Sequence, residues 1–224
     1  MTNIFEKILE KKRFILMAEI KIKSPSEGIL GNIMDIEKIA KEYELGGADV
    51  ISAVTEEKLF GGNLGMIRKI KKSTILPILC KDFITTANQL NNVKMAGADA
   101  VLLIAFLLKK ERLKSLYKES EKMELIPIVE VDNEKDLSFC IKQKFKTIAV
   151  NARNLRDFLI DRKKAIELLG MIPKTITSLA FSGVRNKEDV ENYLDVGAKG
   201  ILIGTTLMKS GNRMGFLRDL GRAE

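Results

Sequence analysis

Eight short apolar runs rich in β-branched residues alternate with polar segments along the 224-residue chain, and this alternation limits the folds open to it. The apolar runs span residues 14–22, 48–55, 77–83, 98–105, 126–131, 147–151, 175–182 and 200–203. Helical spacing of apolar residues marks segments 33–45, 87–96, 110–123, 134–143 and 187–196. Nearly continuous apolar strands separated by helices indicate a parallel sheet covered by helices. Eight such units in this length predict an α/β fold, a (β/α)8 TIM barrel, rather than an open doubly wound sheet.

A glycine stands just before three of the predicted strands, in Gly47-Ala48-Asp49, Gly97-Ala98-Asp99 and Gly197-Ala198-Lys199. Glycine readily adopts the left-handed conformation that ends a helix, so each motif predicts a helix end that leads directly into a strand. The repetition favours a series of βα units without a linker. We therefore predict a single domain over residues 1–224, with a short N-terminal leader over about residues 1–13.

Composition excludes several classes of function. The chain has no histidine, which rules out a Ser-His-Asp triad and any metal site with a histidine ligand. Cys80 and Cys140 are the only cysteines and lack the spacing of metal or redox motifs, so we expect a reducing, cytoplasmic location. No apolar run approaches the roughly 20 residues of a membrane span, and no signal-peptide pattern is present, so we expect no membrane partner.

The formal net charge of +8 is spread over short basic clusters at residues 11–13, 69–72 and 162–164, with acidic residues close by. A nucleic-acid-binding protein concentrates such charge on one surface and often interleaves aromatic residues. We therefore predict solvated helix faces and no nucleic-acid partner. A mild positive field would also attract an anionic small molecule.

The first predicted strand carries charges where a core strand should be apolar, in Ala18-Glu19-Ile20-Lys21-Ile22-Lys23. Side chains alternate across a strand, so the apolar residues would face the helices, and Glu19, Lys21 and Lys23 would point towards the barrel axis near its mouth. Buried charges persist when they are paired or used in a reaction. A half-exposed edge strand with its charges in water would give the same local pattern.

Polar residues also follow other predicted strands. They are Lys81 and Asp82, Glu130 and Asp132, and Asn151 and Arg153. The last two strands end in small residues, Ser182-Gly183 and Gly204-Thr205-Thr206, whose backbone N–H groups could approach an anion. Active sites of such barrels are assembled from the carboxyl ends of several strands. The sequence thus predicts an enzyme that acts on a phosphorylated substrate with lysine and carboxylate chemistry and requires no metal.

Taken together, these segments resemble the indole-3-glycerol phosphate synthases from about residue 17 to residue 208. The most specific match combines the stretch from Glu19 to Ser26, which reads Glu-x-Lys-x-x-Ser-Pro-Ser, with Lys81-Asp82-Phe83. Further matches lie at 54–62, 79–84, 98–104, 129–131, 151–155, 182–183 and 204–208.

The resemblance implies a carboxy-lyase of tryptophan biosynthesis. It closes the indole ring of 1-(2-carboxyphenylamino)-1-deoxyribulose 5-phosphate, with loss of carbon dioxide and water. Lys81 is then expected to protonate the ribulose carbonyl, its ammonium tuned towards proton donation by a neighbouring cation or by desolvation. Glu130, with Glu19 and Lys21 nearby, would supply the base and the further acid for loss of water. Asn151 would hydrogen-bond a substrate hydroxyl or hold Glu19.

The same resemblance implies a set of binding residues. Ser24 would contact the substrate and Arg153 would orient a carboxylate. An apolar wall around the anthranilate ring would come from Phe60, Phe83, Leu102 and Leu155, for which an ordinary core role is an equal alternative. The phosphate would be bound by Ser182, Gly183, Gly204 and Thr205. We expect no cofactor, and either a monomer or a weak association with other enzymes of the tryptophan pathway.

Two features depart from the family pattern. Strand seven usually reads Ala-Glu-Ser-Gly in the family, whereas Phe181 occupies the glutamate position here. By the period of two, Phe181 faces the barrel interior. It could leave Lys21 or Lys81 less well paired, with a lowered pKa and slower turnover, it could signal an altered substrate, or it could be a tolerated change. The leader is also short, which would truncate a lid over the barrel mouth but still suffices to plug the bottom of the barrel.

Three alternatives remain at this stage. Phosphoribosylanthranilate isomerase shares the Ser-Gly and Gly-Thr phosphate site at the ends of the last two strands. It would not need Glu19 and Lys21 together with Lys81. A weakened paralogue that binds a phosphate ligand or a pathway partner is favoured slightly by Phe181 and the short leader. Nucleic-acid binding rests on net charge alone.

Overall fold

Eight parallel strands close into a barrel in the computed structural model, which describes residues 3–11, 14–154 and 156–221. Around the barrel the strands follow the order β1-β8-β7-β6-β5-β4-β3-β2, and β2 pairs with β1. They are β1 (Ile15–Ile20), β2 (Val50–Val54), β3 (Ile78–Lys81), β4 (Ala100–Ile104), β5 (Ile126–Val131), β6 (Thr147–Asn151), β7 (Thr177–Phe181) and β8 (Gly200–Ile203). The predicted α/β fold, a (β/α)8 TIM barrel, is confirmed.

Helices cover the outside of the barrel and close its lower end, where the strands begin. They are α1 (Ile4–Lys11), α2 (Ile36–Leu45), α3 (Gly65–Ser73), α4 (Ala87–Ala96), α5 (Lys110–Lys122), α6 (Glu134–Lys142), α7 (Arg162–Gly170), α8 (Lys187–Asp195), α9 (Thr205–Lys209) and α10 (Arg213–Gly221). Short 3₁₀ turns span Ile33–Asp35 and Ala105–Leu107. None of the helices in the described ranges has both the length and the apolar character that crossing a membrane requires.

The helix ends follow the local signals of the sequence. Gly47, Gly97 and Gly197 have φ of 92°, 96° and 96°, the left-handed conformation predicted for them. At the other end of α4, Thr86 and Gln89 form a reciprocal capping box that satisfies two backbone N–H groups. The three glycines mark where α2, α4 and α8 end, and the capping box marks where α4 begins.

Side chains of each strand alternate between two apolar layers. In β1, Leu16, Ala18 and Ile20 pack against the surrounding helices, whereas Ile15 and Met17 pack inside the barrel. The interior is therefore a filled core, and a site can form only above its uppermost layer.

Helix α1 closes the lower end of the barrel. Phe5 is fully buried and Leu9 nearly so, and both pack in the interior cluster with Ile15. The Asn3 side chain donates to the carbonyl of Asp99, just before β4, which ties the helix to the amino ends of the strands. Helix α1 thus plugs the end of the barrel at which the strands begin.

One expectation for the first strand is wrong. β1 ends at Ile20, and Lys23 lies in a two-stranded hairpin formed by Lys23–Ser24 and Gly28–Ile29. The Lys23 N–H donates to the carbonyl of Phe60 at 3.1 Å, and its side chain packs over Gly61 rather than pointing along the barrel axis. The chain thus leaves the barrel wall after Ile20 and forms this hairpin.

Candidate active site

A cavity opens at the carboxyl ends of the strands, at the opposite end of the barrel from α1. Most of the residues singled out in the sequence line it, and several others join them. The lining consists of Glu19, Lys21, Ser24, Pro25, Ser26, Val54, Glu56, Phe60, Lys81, Asp82, Phe83, Ile104, Glu130, Asn151, Arg153, Phe158, Ser182 and Thr205.

Two lysines share one carboxylate at the floor of this cavity. Glu19 Oε1 lies 2.8 Å from Lys21 Nζ, and Glu19 Oε2 lies 3.2 Å from Lys81 Nζ. Glu130 Oε2 lies 3.9 Å from the same Lys81 Nζ. Glu19 and Glu130 are only 3% and 2% exposed, so these charges interact with little screening by water. The alternation read from the first strand thus brings Glu19 and Lys21 to the predicted face.

Glu19 remains ionised over the whole physiological range. Burial raises its pKa, but the charges and hydrogen bonds of Lys21 and Lys81 outweigh burial and lower the pKa to about 2. A carboxyl with so low a pKa is a poor proton carrier at neutral pH. Glu19 therefore acts as a fixed anion that holds two ammonium groups.

The pKa of Lys81 is raised, whereas the sequence predicted an ammonium tuned towards proton donation. Burial lowers its pKa, but Glu19 and Glu130 outweigh burial and hold the pKa above its ordinary value. The ring of Phe181 lies beneath this ammonium, with its centroid 5.3 Å from Nζ, and Phe181 is fully buried in the interior cluster. With Phe181 in place of the family's glutamate, the Lys81 ammonium is thus still paired with two carboxylates, Glu19 and Glu130.

Glu130 has a pKa above that of an ordinary glutamate. Burial raises its pKa, and Lys81 and Asn151 offset only part of the increase. Its buried Oε2 has no hydrogen-bond partner among the described residues. Such an atom is ready to accept or donate a proton to a bound molecule.

Asn151 and Arg153 extend the polar floor along β6. The Asn151 side-chain oxygen accepts from the Arg153 N–H at 3.0 Å, and Asn151 adjoins Glu130 rather than Glu19. Arg153 Nη1 donates to the Phe158 carbonyl at 2.8 Å and to Ser26 Oγ at 3.4 Å. These contacts hold the guanidinium at the cavity edge.

Ser24 stands across the cavity on the hairpin strand Lys23–Ser24. Its buried Oγ has no hydrogen-bond partner among the described residues, and Ser24 lines the cavity. A buried hydroxyl without a partner is costly unless a ligand satisfies it. Ser24 therefore fits the role of a ligand contact.

The apolar wall differs in part from the predicted one. Phe60 and Phe83 form an edge-to-face pair with ring centroids 6.4 Å apart, and both line the cavity. Leu102 does not line it, because Leu102 pairs in register with Ile128, one layer below Ile104, which pairs with Glu130. Leu155 lies outside the described residues.

Two lining residues that the prediction left out fix the loops that carry the wall. Glu56 accepts hydrogen bonds from the N–H groups of Leu59 and Phe60 at 2.7 and 3.1 Å, which folds the loop after β2. Asp82 accepts from Thr55 Oγ1 at 2.6 Å and from the Phe83 N–H at 2.7 Å. Both acids lie within stretches noted in the sequence, Glu56 in 54–62 and Asp82 beside Lys81, but only the fold shows their partners.

A cup of backbone groups adjoins the charged floor at the ends of β7 and β8. Ser182, Gly183, Gly204 and Thr205 line it together with Lys21. No hydrogen bond from the N–H of Gly183 or Val184 is found within the described residues, although Val184 is buried. Free N–H groups beside a cation form an anion site.

The close approach of Gly204 to the floor explains the glycine at this position. A Cβ there would lie 2.2 Å from Glu19 Oε1 and 3.1 Å from Lys21 Nζ. The cup and the Lys21 ammonium are therefore in contact, so one molecule can reach both. In the described ranges no three acidic or cysteine side chains converge as a metal-binding group.

The sequence as a whole matches a known protein family. The family model described as indole-3-glycerol phosphate synthase covers residues 1–220. The indole-3-glycerol phosphate synthase of Sulfurisphaera tokodaii is 42% identical over 199 residues, 89% of this chain and 80% of that protein. The enzyme of the same name from Streptomyces griseus is 39% identical over 205 residues, 92% of this chain and 76% of that protein.

Solved structures at low sequence identity share the barrel. Tryptophan synthase subunit alpha from Legionella pneumophila matches with a TM-score of 0.73 at 14% identity, over 100% of this chain and 98% of that chain. Orotidine 5'-phosphate decarboxylase from Pyrococcus horikoshii matches with a TM-score of 0.67 at 13% identity, over 93% and 98% of the two chains. These likenesses establish the fold and carry no argument about the reaction.

Proposed function

This chain belongs to the indole-3-glycerol phosphate synthase family, carboxy-lyases of tryptophan biosynthesis, and from that premise we propose how its cavity carries out the reaction. The substrate is 1-(2-carboxyphenylamino)-1-deoxyribulose 5-phosphate, and the products are indole-3-glycerol phosphate, carbon dioxide and water. Membership in this family decides against the isomerase alternative.

The substrate binds with its two anionic ends at opposite sides of the cavity. Its phosphate occupies the cup at Ser182, Gly183, Gly204 and Thr205. There the free N–H groups donate hydrogen bonds to it, and the Lys21 ammonium offsets its charge. The anthranilate ring packs on the apolar wall of Phe60 and Phe83. The ring carboxylate lies near Arg153 and the Ser24 hydroxyl, whose oxygen has no hydrogen-bond partner among the described residues.

Ring closure joins the carboxylate-bearing ring carbon to the ribulose carbonyl carbon. The π electron pair of the carbonyl moves to its oxygen, which takes a proton from the Lys81 ammonium. Glu19 and Glu130 keep that nitrogen protonated at neutral pH because they raise its pKa. Proton transfer from a positioned acid of this kind contributes roughly 10²- to 10⁴-fold.

Loss of carbon dioxide restores the aromatic ring, because the electrons of the broken carbon–carbon bond return to it. Loss of water then removes one proton from the neighbouring sugar carbon and adds one to the departing hydroxyl. Glu130 accepts the first proton, since burial raises its pKa and its Oε2 has no hydrogen-bond partner among the described residues. The Lys21 ammonium, which also lines the cavity, donates the second.

The observation that carries this proposal is the position of Lys81 Nζ, 3.2 Å from Glu19 and 3.9 Å from Glu130 at the cavity floor. Its test mixes purified protein with the substrate and follows the fluorescence of the indole product. We expect turnover by the parent protein and a fall in kcat of about 100- to 10,000-fold in Lys81→Ala.

Lys71→Ala is the matched control, because Lys71 makes a 2.7 Å ion pair with Asp99 at the other end of the barrel. This variant should turn over like the parent. Full activity in Lys81→Ala would overturn the role of Lys81. A parent protein that binds inorganic phosphate but gives no indole product would instead support the weakened paralogue.

A further inference from the structure

The phosphate cup contains a turn with an unusual backbone conformation. Ser182 and Gly183 both have positive φ, at 67° and 82°. A residue other than glycine is strained in this region and remains there only where the surrounding contacts hold it. The contacts that hold Ser182 come from helices outside the barrel.

Two side chains bind the consecutive carbonyls of this turn. The Tyr193 hydroxyl donates to the Ser182 carbonyl at 3.3 Å, and Arg162 Nη1 donates to the Gly183 carbonyl at 3.3 Å. Tyr193 lies on α8 and Arg162 begins α7, so both carbonyls are drawn towards the helix layer. The N–H groups of Gly183 and Val184, in contrast, have no partner within the described residues and remain free for a ligand.

Asp189 links Arg162 to the helix that carries Tyr193. It lies four residues before Tyr193 on α8, so the two side chains share a face of the helix, and both are buried. Its carboxylate accepts from the Arg185 N–H at 2.9 Å and lies 3.6 Å from Arg162 Nε. Asp189 thereby positions the Arg185 backbone, just after the cup, and the Arg162 guanidinium, which binds the Gly183 carbonyl.

The contact between this unit and the turn leaves no spare room. A Cβ on Gly183 would lie 2.7 Å from Tyr193 Oη and 3.0 Å from Arg162 Cγ. We propose that Arg162, Asp189 and Tyr193 form a bracket that positions the Ser182–Gly183 turn for phosphate binding. The three are positioning residues that act through the turn and belong to none of the motifs read from the sequence as functional.

The kinetic part of the test rests on the proposed function. The phosphate-binding part does not depend on it. Tyr193→Phe removes one hydroxyl without changing charge, so it alters the turn while leaving the electrostatic field of the cup unchanged. Loss of one such hydrogen bond corresponds to about a 2- to 10-fold weakening. We expect KM to rise by that factor, kcat to stay within about twofold, and the affinity for inorganic phosphate, measured by calorimetric titration, to fall with KM.

Tyr117→Phe is the matched control for a buried tyrosine hydroxyl. Tyr117 accepts from the Lys146 N–H at 3.1 Å, near the opposite end of the barrel, and should leave KM and phosphate affinity unchanged. Equal losses of thermal stability in the two variants with no change in phosphate affinity would overturn the bracket. If the parent gives no turnover yet Tyr193→Phe binds phosphate more weakly, the bracket stands and the proposed function fails.

Discussion

Replacing Glu19 by glutamine tests the electrostatic account of the cavity floor. The change keeps the size of the side chain but removes the anion that two ammonium groups share, at 2.8 and 3.2 Å. Because Glu19 is 3% exposed, water cannot take the place of the lost charge. Lys81 would then keep only the Glu130 carboxylate at 3.9 Å, and Lys21 would lose the carboxylate at 2.8 Å.

The magnitude follows from the pKa of Glu19. A value of about 2 in the folded protein, against 4.5 ordinarily, corresponds to about 3 kcal/mol of stability at neutral pH. Removing one partner of a buried ion pair costs about 3–5 kcal/mol, in agreement with this figure.

The pH dependence has a definite sign. The folded-state pKa is depressed, so the contribution of Glu19 is fully present above pH 4.5 and is lost as the pH falls towards 2. We expect Glu19→Gln to be less stable than the parent by about 3 kcal/mol at pH 7 and by only about 1 kcal/mol at pH 3. Urea unfolding at the two pH values measures both differences.

Glu44→Gln provides the control, because Glu44 makes a 2.8 Å ion pair with the exposed Lys41 on the outside of α2. A surface pair of this kind contributes at most about 1 kcal/mol. If Glu19→Gln lowered the free energy of unfolding no more than Glu44→Gln does, or by the same amount at both pH values, the reasoning would be refuted.

Two further substitutions separate the site from the scaffold. Gly204→Ala places a methyl group against Glu19 Oε1, so we expect a loss of about 1–3 kcal/mol in urea unfolding and a KM at least about 10-fold higher, whereas Gly170→Ala, with open space around its Cα, should change neither. Unchanged kinetics in Gly204→Ala would show that the cup and the floor are independent. Phe5→Ala empties the fully buried plug, which should cost about 3–5 kcal/mol with KM unaltered, since the cavity lies at the other end of the barrel. A shift of KM as large as that in Gly204→Ala would contradict this separation.

Local patterns were sufficient for the barrel and for part of the floor. The count of apolar runs, the glycines before the strands and the period of two follow from backbone geometry alone, so they predicted the eight strands and the inward side chains of Glu19 and Lys21. Parallel strands bring their carboxyl ends to one rim, which also gathered Lys81, Glu130 and Asn151.

Closure of the barrel decided what the local patterns left open. The stagger between strands sets which residue reaches the cavity level, so Ile104 lines it and Leu102 lies one layer below. The chain turns into a hairpin after β1, which takes Lys23 away from the barrel axis.

The protonation states and the support of the cup depend on long-range contacts. The sign of the Lys81 pKa depends on Glu19 and Glu130, which arrive from two other strands. Arg162 meets both the Gly183 carbonyl and Asp189 only because α7 and α8 pack side by side. Such contacts join residues far apart in the chain and form only when the barrel closes, whereas local patterns are enough to set the period and the order of the elements.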